Sequence, residues 1–395
     1  MKVLALLSDI PFPPNTGSRV RNFHLWSALR RQGIEVKILG LSQAPVEGGG
    51  SVKFASEDAE FFALDRPPFI PRAFGALTRS FHERPRSSPL WRKVREVIEQ
   101  WKPDIVHAEE LRMANYACYA LGLNRERRPK VTVTAHNVES ELLKMTGSAP
   151  FKWGAPVINW LHLRALKTFE KSTFESFDLS LAYSALDRDR YQKAYPKGNW
   201  YFTRNGADVT GVIPSPQVSE PKILFVGSLS YAPNLRGLRW FLDEVLTKLS
   251  PEITLTVAGS RATPEVKNLL TRPRVNFIDS PVDLAPIYQA HALSIVPVFE
   301  GSGTRGKILE SLAHERILVS TTLGAEGLGL TEKEGVICRD DSLSFAREIE
   351  IWVKNREGRS RLGSAGRQKV HNEYDWQVVA RELKEAWERS EYKLY

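Results

Sequence analysis

Lys2-Val3-Leu4-Ala5-Leu6-Leu7 runs directly into Ser8-Asp9-Ile10-Pro11-Phe12-Pro13-Pro14-Asn15-Thr16-Gly17-Ser18-Arg19. A short unbroken apolar run that ends in a polar, proline-rich loop reads as a strand buried on both faces, with its loop at the carboxyl end. Helical spacing follows from Val20 to Arg31, where Val20, Phe23, His24 and Leu25 fall near Ala28 and Leu29. Gly33 stops that helix, and Glu35 to Leu41 is a second apolar run. Strand, loop, helix, strand is the opening of a parallel α/β sheet.

The rhythm continues outward from there. Ser88 to Trp101 is helical, Asp104–His107 and Val131–Ala135 are strands, Leu161–Phe177 is a long helix, and Leu179–Ala182 and Trp200–Thr203 are strands. A polar, proline-containing stretch around Pro214 to Pro221 reads as a domain connection. The pattern then restarts with Lys222–Val226, Leu235–Leu249, Ile253–Ala258, Val275–Ile278, Leu293–Pro297, a helix over about Lys307–His314, and Ile317–Ser320. The expectation is two Rossmann-like α/β domains whose parallel sheets face each other across a cleft. Residues 1–206 form the first domain, 207–374 the second, and 375–395 a C-terminal helix that packs back on the first. In open parallel sheets ligands bind beyond the carboxyl ends of the strands, so the loops after strands carry the chemistry.

The richest such loop is Glu300-Gly301-Ser302-Gly303-Thr304-Arg305-Gly306-Lys307, continuing into Ile308-Leu309-Glu310. Glycines let backbone N–H groups approach an anion, and a helix N-terminus favours negative charge. Arg305 and Lys307 add positive charge suited to a diphosphate. Glu310 follows Arg305 by about one and a half helical turns, near enough to share one ligand. A carboxylate there suits the two hydroxyls of a ribose. Without a ligand the same stretch is a glycine-rich turn with a surface ion pair. The coincidence of strand, glycines, two cations and a carboxylate favours the site.

Other loops after strands add candidates. Gly17 and Ser18 sit where a helix begins, so their N–H groups can face a phosphate, and Arg19 either meets that phosphate or is a surface cation. His136 follows Val131–Ala135, while Glu139 and Glu141 read as acids in a first helical turn. His107 and Glu109 also end a strand, and Glu109 is a candidate acceptor contact. Asp187-Arg188-Asp189 resembles a metal motif only in its letters and reads as a helix start. No metal is expected. Trp26, Trp153, Trp240 and Trp376 read as core or interface.

Gly-Ser-Gly-Thr-Arg-x-Lys-x-Leu-Glu, then Ser311-Leu312-Ala313 and Val319-Ser320-Thr321-Thr322-Leu323-Gly324-Ala325-Glu326-Gly327-Leu328, resembles the donor-binding region of family-4 retaining glycosyltransferases of GT-B fold. The nearest branch is that of the sugar transferases of exopolysaccharide and surface-polysaccharide clusters. Gly227-Ser228-Leu229 with Pro233-Asn234, Arg204-Asn205-Gly206-Ala207-Asp208, and Tyr374-Asp375-Trp376 agree with it in order. The likeness is weakest from about Glu47 to Arg95.

The resemblance implies that Glu310 is the second glutamate of a Glu-x7-Glu motif and binds the donor ribose. The first position falls at Ser302, and Glu300 stands ten residues before Glu310, not eight. Many members hold the diphosphate with an arginine and a lysine after the first strand of the second domain. Here that arginine position is Ser228, so the charge passes to Arg305 and Lys307, with Arg236 a further candidate. Gly17, Ser18, Arg19, Gly227, Ser228, Ser302, Gly303 and Thr304 would line the donor. His136 would contact the donor sugar. The implied reaction retains the anomeric configuration through an oxocarbenium-like transition state, using a nucleotide-diphosphate sugar as substrate and no permanently bound cofactor. The implied acceptor is a saccharide, a lipid-linked glycan or a small molecule.

Bulk properties frame these readings. With 395 residues, 42% hydrophobic and 26% charged, the chain suits a soluble globular protein. Its two cysteines, Cys118 and Cys338, form neither a disulfide framework nor a zinc spacing. The Met1–Leu7 run is too short for the core of a signal peptide, and no apolar stretch spans a bilayer, so a cytoplasmic protein is expected. The net charge of +9 implies anionic company. Arg66–Arg95 interleaves Arg72, Arg79, Arg84, Arg86, Arg92, Lys93 and Arg95 with Phe69, Ile70, Phe74 and Leu77. That segment reads equally as a peripheral contact with an anionic membrane or as a solvated face. Two rival functions remain: an epimerase or phosphorylase on the same architecture, or a non-enzymatic binder of anionic polymer. Nucleic acid is not an expected partner, because no DNA- or RNA-binding motif occurs. A dehydrogenase is disfavoured because the first strand leads to Ser-Asp-Ile-Pro-Phe, not to Gly-x-Gly-x-x-Gly.

Overall fold

The computed structural model describes residues 1–12, 14, 17–42, 51–54, 58–64, 87–124, 128–135, 140, 155–301 and 305–393. Two compact units emerge: unit 1 is Met1–Pro14, Ser18–Thr203 and Ala380–Tyr395, and unit 2 is Asn15–Gly17 with Arg204–Val379.

Unit 1 is built on strands β1 (Lys2–Leu7), β2 (Glu35–Ser42), β3 (Ser51–Phe54), β4 (Ala59–Ala63), β5 (Ile105–Glu109), β6 (Lys130–Ala135), β7 (Leu179–Ala182) and β8 (Trp200–Phe202), in the order β3-β4-β2-β1-β5-β6-β7-β8. Every pairing is parallel except β3 with β4. β1 lies at the centre, and Val3 to Leu7 are completely buried, as a strand covered on both faces requires. Helices α1 (Gly17–Arg31), α2 (Ser88–Trp101), α3 (Ala114–Leu121), α4 (Ala155–Ser176) and α5 (Ala185–Ala194) make the crossovers. α2 starts where Ser87 Oγ accepts from Leu90 N and ends at Lys102 in the left-handed region. Its Leu90, Val94 and Ile98 enter the core with Leu4, Leu6, Val106 and Val131.

The C-terminal helix α12 (Trp376–Arg389) delivers the last part of unit 1. Its Trp387 ring stacks on Trp26 at 6.3 Å, and Lys130 Nζ donates to the Trp387 carbonyl at 2.9 Å. Asp178 anchors the tail. It takes two bonds from the buried Arg128 guanidinium, at 2.7 and 2.9 Å, and one from Lys393 N at 2.8 Å.

Unit 2 holds β9 (Lys222–Val226), β10 (Thr254–Gly259), β11 (Val275–Asp279), β12 (Leu293–Val296), β13 (Leu318–Ser320) and β14 (Val336–Cys338), in the order β11-β10-β9-β12-β13-β14, parallel throughout. Around it lie α6 (Ala232–Trp240), α7 (Pro264–Leu269), α8 (Ala285–Gln289), α9 (Gly306–Ala313), α10 (Ser342–Lys354) and α11 (Arg356–Tyr374). The helix expected over Leu235–Leu249 begins earlier, at Ala232, then widens to a π turn over Phe241–Val245 and tightens to a 3-10 turn over Leu246–Lys248. Two fully buried arginines hold the connecting stretch near Pro214 to Pro221. Arg316 donates to Ser215 O, Ser215 Oγ and Pro216 O, and Arg359 donates to Val218 O and Gln217 Oε1. A buried guanidinium is tolerated only when its donors are satisfied in this way.

Candidate functional site

The loop from β12 to α9 is placed by close backbone packing. A Cβ on Gly237 would stand 1.6 Å from the Pro297 carbonyl oxygen, so α6 lies directly on the segment leaving β12. Gly301 is at φ +95, a conformation that favours glycine. Arg305 folds back over this turn: its Nη2 donates to the carbonyls of Glu300 and Gly301 at 3.3 and 3.1 Å. α9 then buries Ile308, Leu309, Leu312 and Ala313. Ser311 Oγ ties it to Ser294 of β12 at 2.8 Å. Burial of three large aliphatic side chains, at about 1.5–3 kcal/mol each, fixes the helix that carries the charged groups.

Lys307 and Glu310, one helical turn apart, point their charged ends inward. Lys307 Nζ donates to Asn234 Oδ1 at 2.8 Å and lies 4.9 Å from the centre of the Phe225 ring. Asn234, buried on the first turn of α6, donates through Nδ2 to the Ser228 carbonyl at 3.0 Å. Asn234 thus joins the loop after β9, Gly227–Ser228, to the loop after β12. Burial, reinforced by the neighbouring Arg305 charge and partly offset by Glu310, lowers the Lys307 ammonium to about 7. Burial raises the Glu310 carboxyl above its usual range, opposed by a hydrogen bond from Tyr288 and by Lys307. The Tyr288 hydroxyl donates to Glu310 Oε2 at 3.4 Å, and its ring stacks on His314 at 4.7 Å. The arrangement is a cation and a carboxylate held apart at the carboxyl ends of parallel strands. In chemical terms it can take an anion at one end and a pair of hydroxyls at the other.

Two further motifs meet in unit 2. Ala207 bridges Asp375, and Ala207 N donates to the Tyr374 carbonyl at 2.9 Å. Asp375 Oδ2 accepts from Val209 N and Thr210 N at 3.3 Å each. A Cβ on Gly306 would lie 3.5 Å from Asn205 Nδ2, so Asn205 stands beside the start of α9.

Of the expected donor residues, Gly227, Ser228, Arg305, Lys307 and Glu310 come together in unit 2. Ser302, Gly303, Thr304 and His136 lie outside the described residues, as do Glu139, Glu141, Trp153 and most of Arg66–Arg95. Gly17 and Ser18 begin α1 and are exposed. Arg19 forms an ion pair with Asp9 at 2.8 Å. Arg236 and Glu300 pair with each other. Glu109 is turned inward: completely buried, it accepts from Tyr183 at 2.9 Å and Arg21 Nε at 3.3 Å, and lies 3.0 Å from His107 Nε2. Ser184 Oγ caps α5 by accepting from Asp187 N, and Asp187 and Asp189 pair with Arg190 and Arg188. Among the described residues no cluster of three or more His, Cys, Asp or Glu could hold a metal ion. Asn234, Phe225 and Tyr288 join these residues in the structure without a site role readable from sequence. The Pro-Asn pair at the start of a helix was the available signal for the first, and nothing local marked the other two.

Comparison with known proteins bears on the family and the fold. The model of Glycosyltransferase Family 4 matches residues 16–210, and that of Glycosyl transferases group 1 matches residues 220–355. A 44.6 kDa protein of the cps region in Klebsiella pneumoniae is 23% identical over 389 residues, covering 96% of this chain and 97% of its own. Among solved structures, sucrose-phosphate synthase from Thermosynechococcus elongatus superposes with a TM-score of 0.72 at 15% identity, over 98% of this chain and 99% of that one. The Anabaena protein HepE in complex with UDP-glucose superposes with a TM-score of 0.64 at 16% identity, with the same two coverages.

Proposed function

We propose, on the premise that this chain belongs to the GT-B glycosyltransferases, residues 16–210 to family 4 and residues 220–355 to group 1, that it moves a sugar from a nucleoside-diphosphate sugar to a saccharide, lipid-linked or small-molecule acceptor with retention at the anomeric carbon. The observation that carries this reading is the inward-facing pair Lys307 and Glu310, joined through Asn234 to the loop at Gly227. A diphosphate supplies the negative charge that restores the lowered ammonium of Lys307. A ribose supplies two hydroxyl donors for Glu310.

In this reading Arg305, Lys307 and the N–H groups of Ser302, Gly303 and Thr304 stabilise the charge that builds on the leaving diphosphate, the usual electrostatic strategy for such a step. Gly227 and Ser228 line the diphosphate from the other loop. His136 contacts the donor sugar, and Gly17, Ser18 and Arg19 complete the donor surface. No metal and no permanently bound cofactor takes part. Residues 1–206 form the acceptor-side domain, 207–374 the donor domain, and 375–395 the C-terminal helix. The protein works in the cytoplasm, with Arg66–Arg95 touching anionic membrane. No helix among the described residues is long and apolar enough to cross a bilayer.

The test is a thermal-shift panel of UDP, GDP, dTDP, ADP and CMP with their common sugar conjugates, on wild type and Glu310→Ala. Because HepE was solved with UDP-glucose, that ligand comes first. A ligand that binds the native state raises Tm with its concentration over Kd. Stabilisation of wild type but not of the variant is the expected result. Failure of every ligand to stabilise wild type sinks the reading.

A further inference from the structure

On α4, Trp160, Leu163, Arg164, Lys167, Thr168 and Lys171 line one shallow groove of about 360 Å³. Spacings of three and four put these six on one side of the helix, in a stripe about 16 Å long at 1.5 Å rise per residue. The other side, with Leu166, Phe169, Thr173 and Phe174, is buried in unit 1. Trp160 is 55% exposed, and the Arg164 guanidinium lies over its ring at 5.5 Å.

The cations of this stripe differ from those on other helices that contribute to unit 1. On α2, Lys93 pairs with Glu96 at 2.8 Å and Arg95 with Glu99 at 3.9 Å. On α12, Arg389 pairs with Glu385 at 3.1 Å. Arg164, Lys167 and Lys171 have no acidic side chain in ion-pair distance among the described residues. The two acids of α4 are engaged elsewhere. Glu170 faces inward and binds Tyr195 Oη at 2.6 Å and Ser140 N at 3.2 Å. Glu175 lies one turn beyond Lys171, where its carboxylate acts electrostatically on Lys393 and its backbone carbonyl accepts from Lys393 Nζ at 2.9 Å.

We infer that this face of α4 docks on an anionic lipid bilayer. Three cations that form no ion pair among the described residues, of which only Lys167 acts on a nearby carboxylate, that of Glu170, suit anionic headgroups. An exposed tryptophan beside them suits the headgroup level, where its amphipathic ring is favoured. Leu163 adds apolar surface to the same stripe. A soluble polyanion would use the cations and leave Trp160 and Leu163 without a role. The topology gives the contact a use. α4 descends from the carboxyl end of β6 towards the start of β7, so Trp160, near its first turn, lies on the side of unit 1 where ligand loops are found. A lipid-held acceptor would arrive at that side. The surface is additional to the membrane contact proposed for Arg66–Arg95, and it stands independently of the donor chemistry.

The experiment is co-sedimentation of the full chain with phosphatidylcholine vesicles, with and without phosphatidylglycerol. The variants are Arg164→Gln/Lys167→Gln/Lys171→Gln, Trp160→Ser, and a charge-matched control, Lys248→Gln/Lys333→Gln/Lys354→Gln. Wild type should bind only the phosphatidylglycerol vesicles. The stripe triple should weaken partition on the order of 100-fold, from roughly fivefold per cation near an anionic surface. Trp160→Ser should also weaken it, and the control should change it far less. Absence of wild-type binding to phosphatidylglycerol vesicles overturns the inference. So does equal loss in the control, which would mean net charge alone. Tight binding to heparin with vesicle binding indifferent to Trp160→Ser assigns the stripe to a soluble polyanion and overturns it too. Tm and the UDP-glucose shift of each variant report folding and the donor reading separately. Should the triple fail to fold, Lys167→Glu takes its place, with a loss of roughly 25-fold expected from its change of two charges and unchanged partition counting against the inference.

Discussion

Gly227 and Lys307 share one space: a Cβ on the glycine would stand 2.8 Å from Lys307 Nζ, and equally close to Asn234 Nδ2. Both neighbours are ends of side chains, so a methyl group there displaces the ammonium without unseating a strand. Gly227→Ala should therefore weaken UDP-glucose binding by at least about tenfold, the loss of one charged hydrogen bond, with little change in Tm. Gly237→Ala is the contrast. Its Cβ would meet the Pro297 carbonyl, a backbone atom, and overpacking of this kind costs about 1–3 kcal/mol. Calorimetric titration and urea unfolding of both variants separate the two effects. Equal destabilisation by both would refute the distinction.

Donor affinity should depend on pH through Lys307. Burial holds its ammonium near 7 in the free protein, and a bound diphosphate raises it. Affinity is then full below about pH 7 and falls as pH rises towards the bound-state value, by up to about tenfold per pH unit. UDP-glucose should take up a proton on binding at pH 8, read as a dependence of the binding enthalpy on the buffer's ionisation enthalpy. Lys307→Arg should flatten this limb, because arginine stays charged. On the acid side the raised Glu310 carboxyl loses its charge early, and affinity falls again. A flat wild-type profile from about pH 6 to about pH 9 contradicts the assignment.

Much of this was legible because parallel strands buried on both faces are written as apolar runs. Lys2–Leu7, Lys222–Val226 and Leu179–Ala182 announce themselves, and Ser88–Trp101 carries its own cap and helical period. β3 and β4 do not, since Ser51–Phe54 and Ala59–Ala63 are short, mix Lys and Glu with apolar residues, and take their register from partners, β4 from β2 and β3 from β4. Arg305, Lys307 and Glu310 could be read because a glycine-rich loop before a helix has a local signature. Asn234 could not be assigned its role, because its partner is 73 residues away. The partner of Glu109 is hidden for the same reason: Arg21, which binds it, is 88 positions distant.

His314 should make unit 2 sensitive to acid. Burial, then the charges of Arg316 and Arg367, lower its imidazole from 6.5 to about 4. As pH falls below 6.5 the unfolded chain takes up this proton and the folded chain does not, so stability present above 6.5 is lost progressively down to about 4. His314→Phe keeps a ring against Tyr288 and removes the titration. The drop in Tm between pH 7 and pH 4.5 should be smaller in the variant than in wild type. An identical drop in both would mean that other groups set the acid limit.

The two arginine–carboxylate pairs of α1 should behave oppositely. Arg19 and Asp9 are each 21% exposed, and a solvent-screened pair is worth about 0–1 kcal/mol. Arg19→Ala should leave Tm nearly unchanged and report only on donor affinity. Arg21 and Glu109 are 2% and 0% exposed, and Arg21 also lies 4.2 Å from the Tyr183 ring centre. Removing the guanidinium alone leaves the fully buried Glu109 with one cation fewer, which costs about 3–5 kcal/mol. Arg21→Met should accordingly lower stability sharply, and Arg21→Met/Glu109→Leu should recover part of the loss by removing the stranded charge. Urea unfolding of the two single variants and the double variant closes the cycle. If Glu109 acted on the acceptor instead, the double variant would regain stability and lose transfer, whereas a purely structural Glu109 predicts that transfer returns together with the fold.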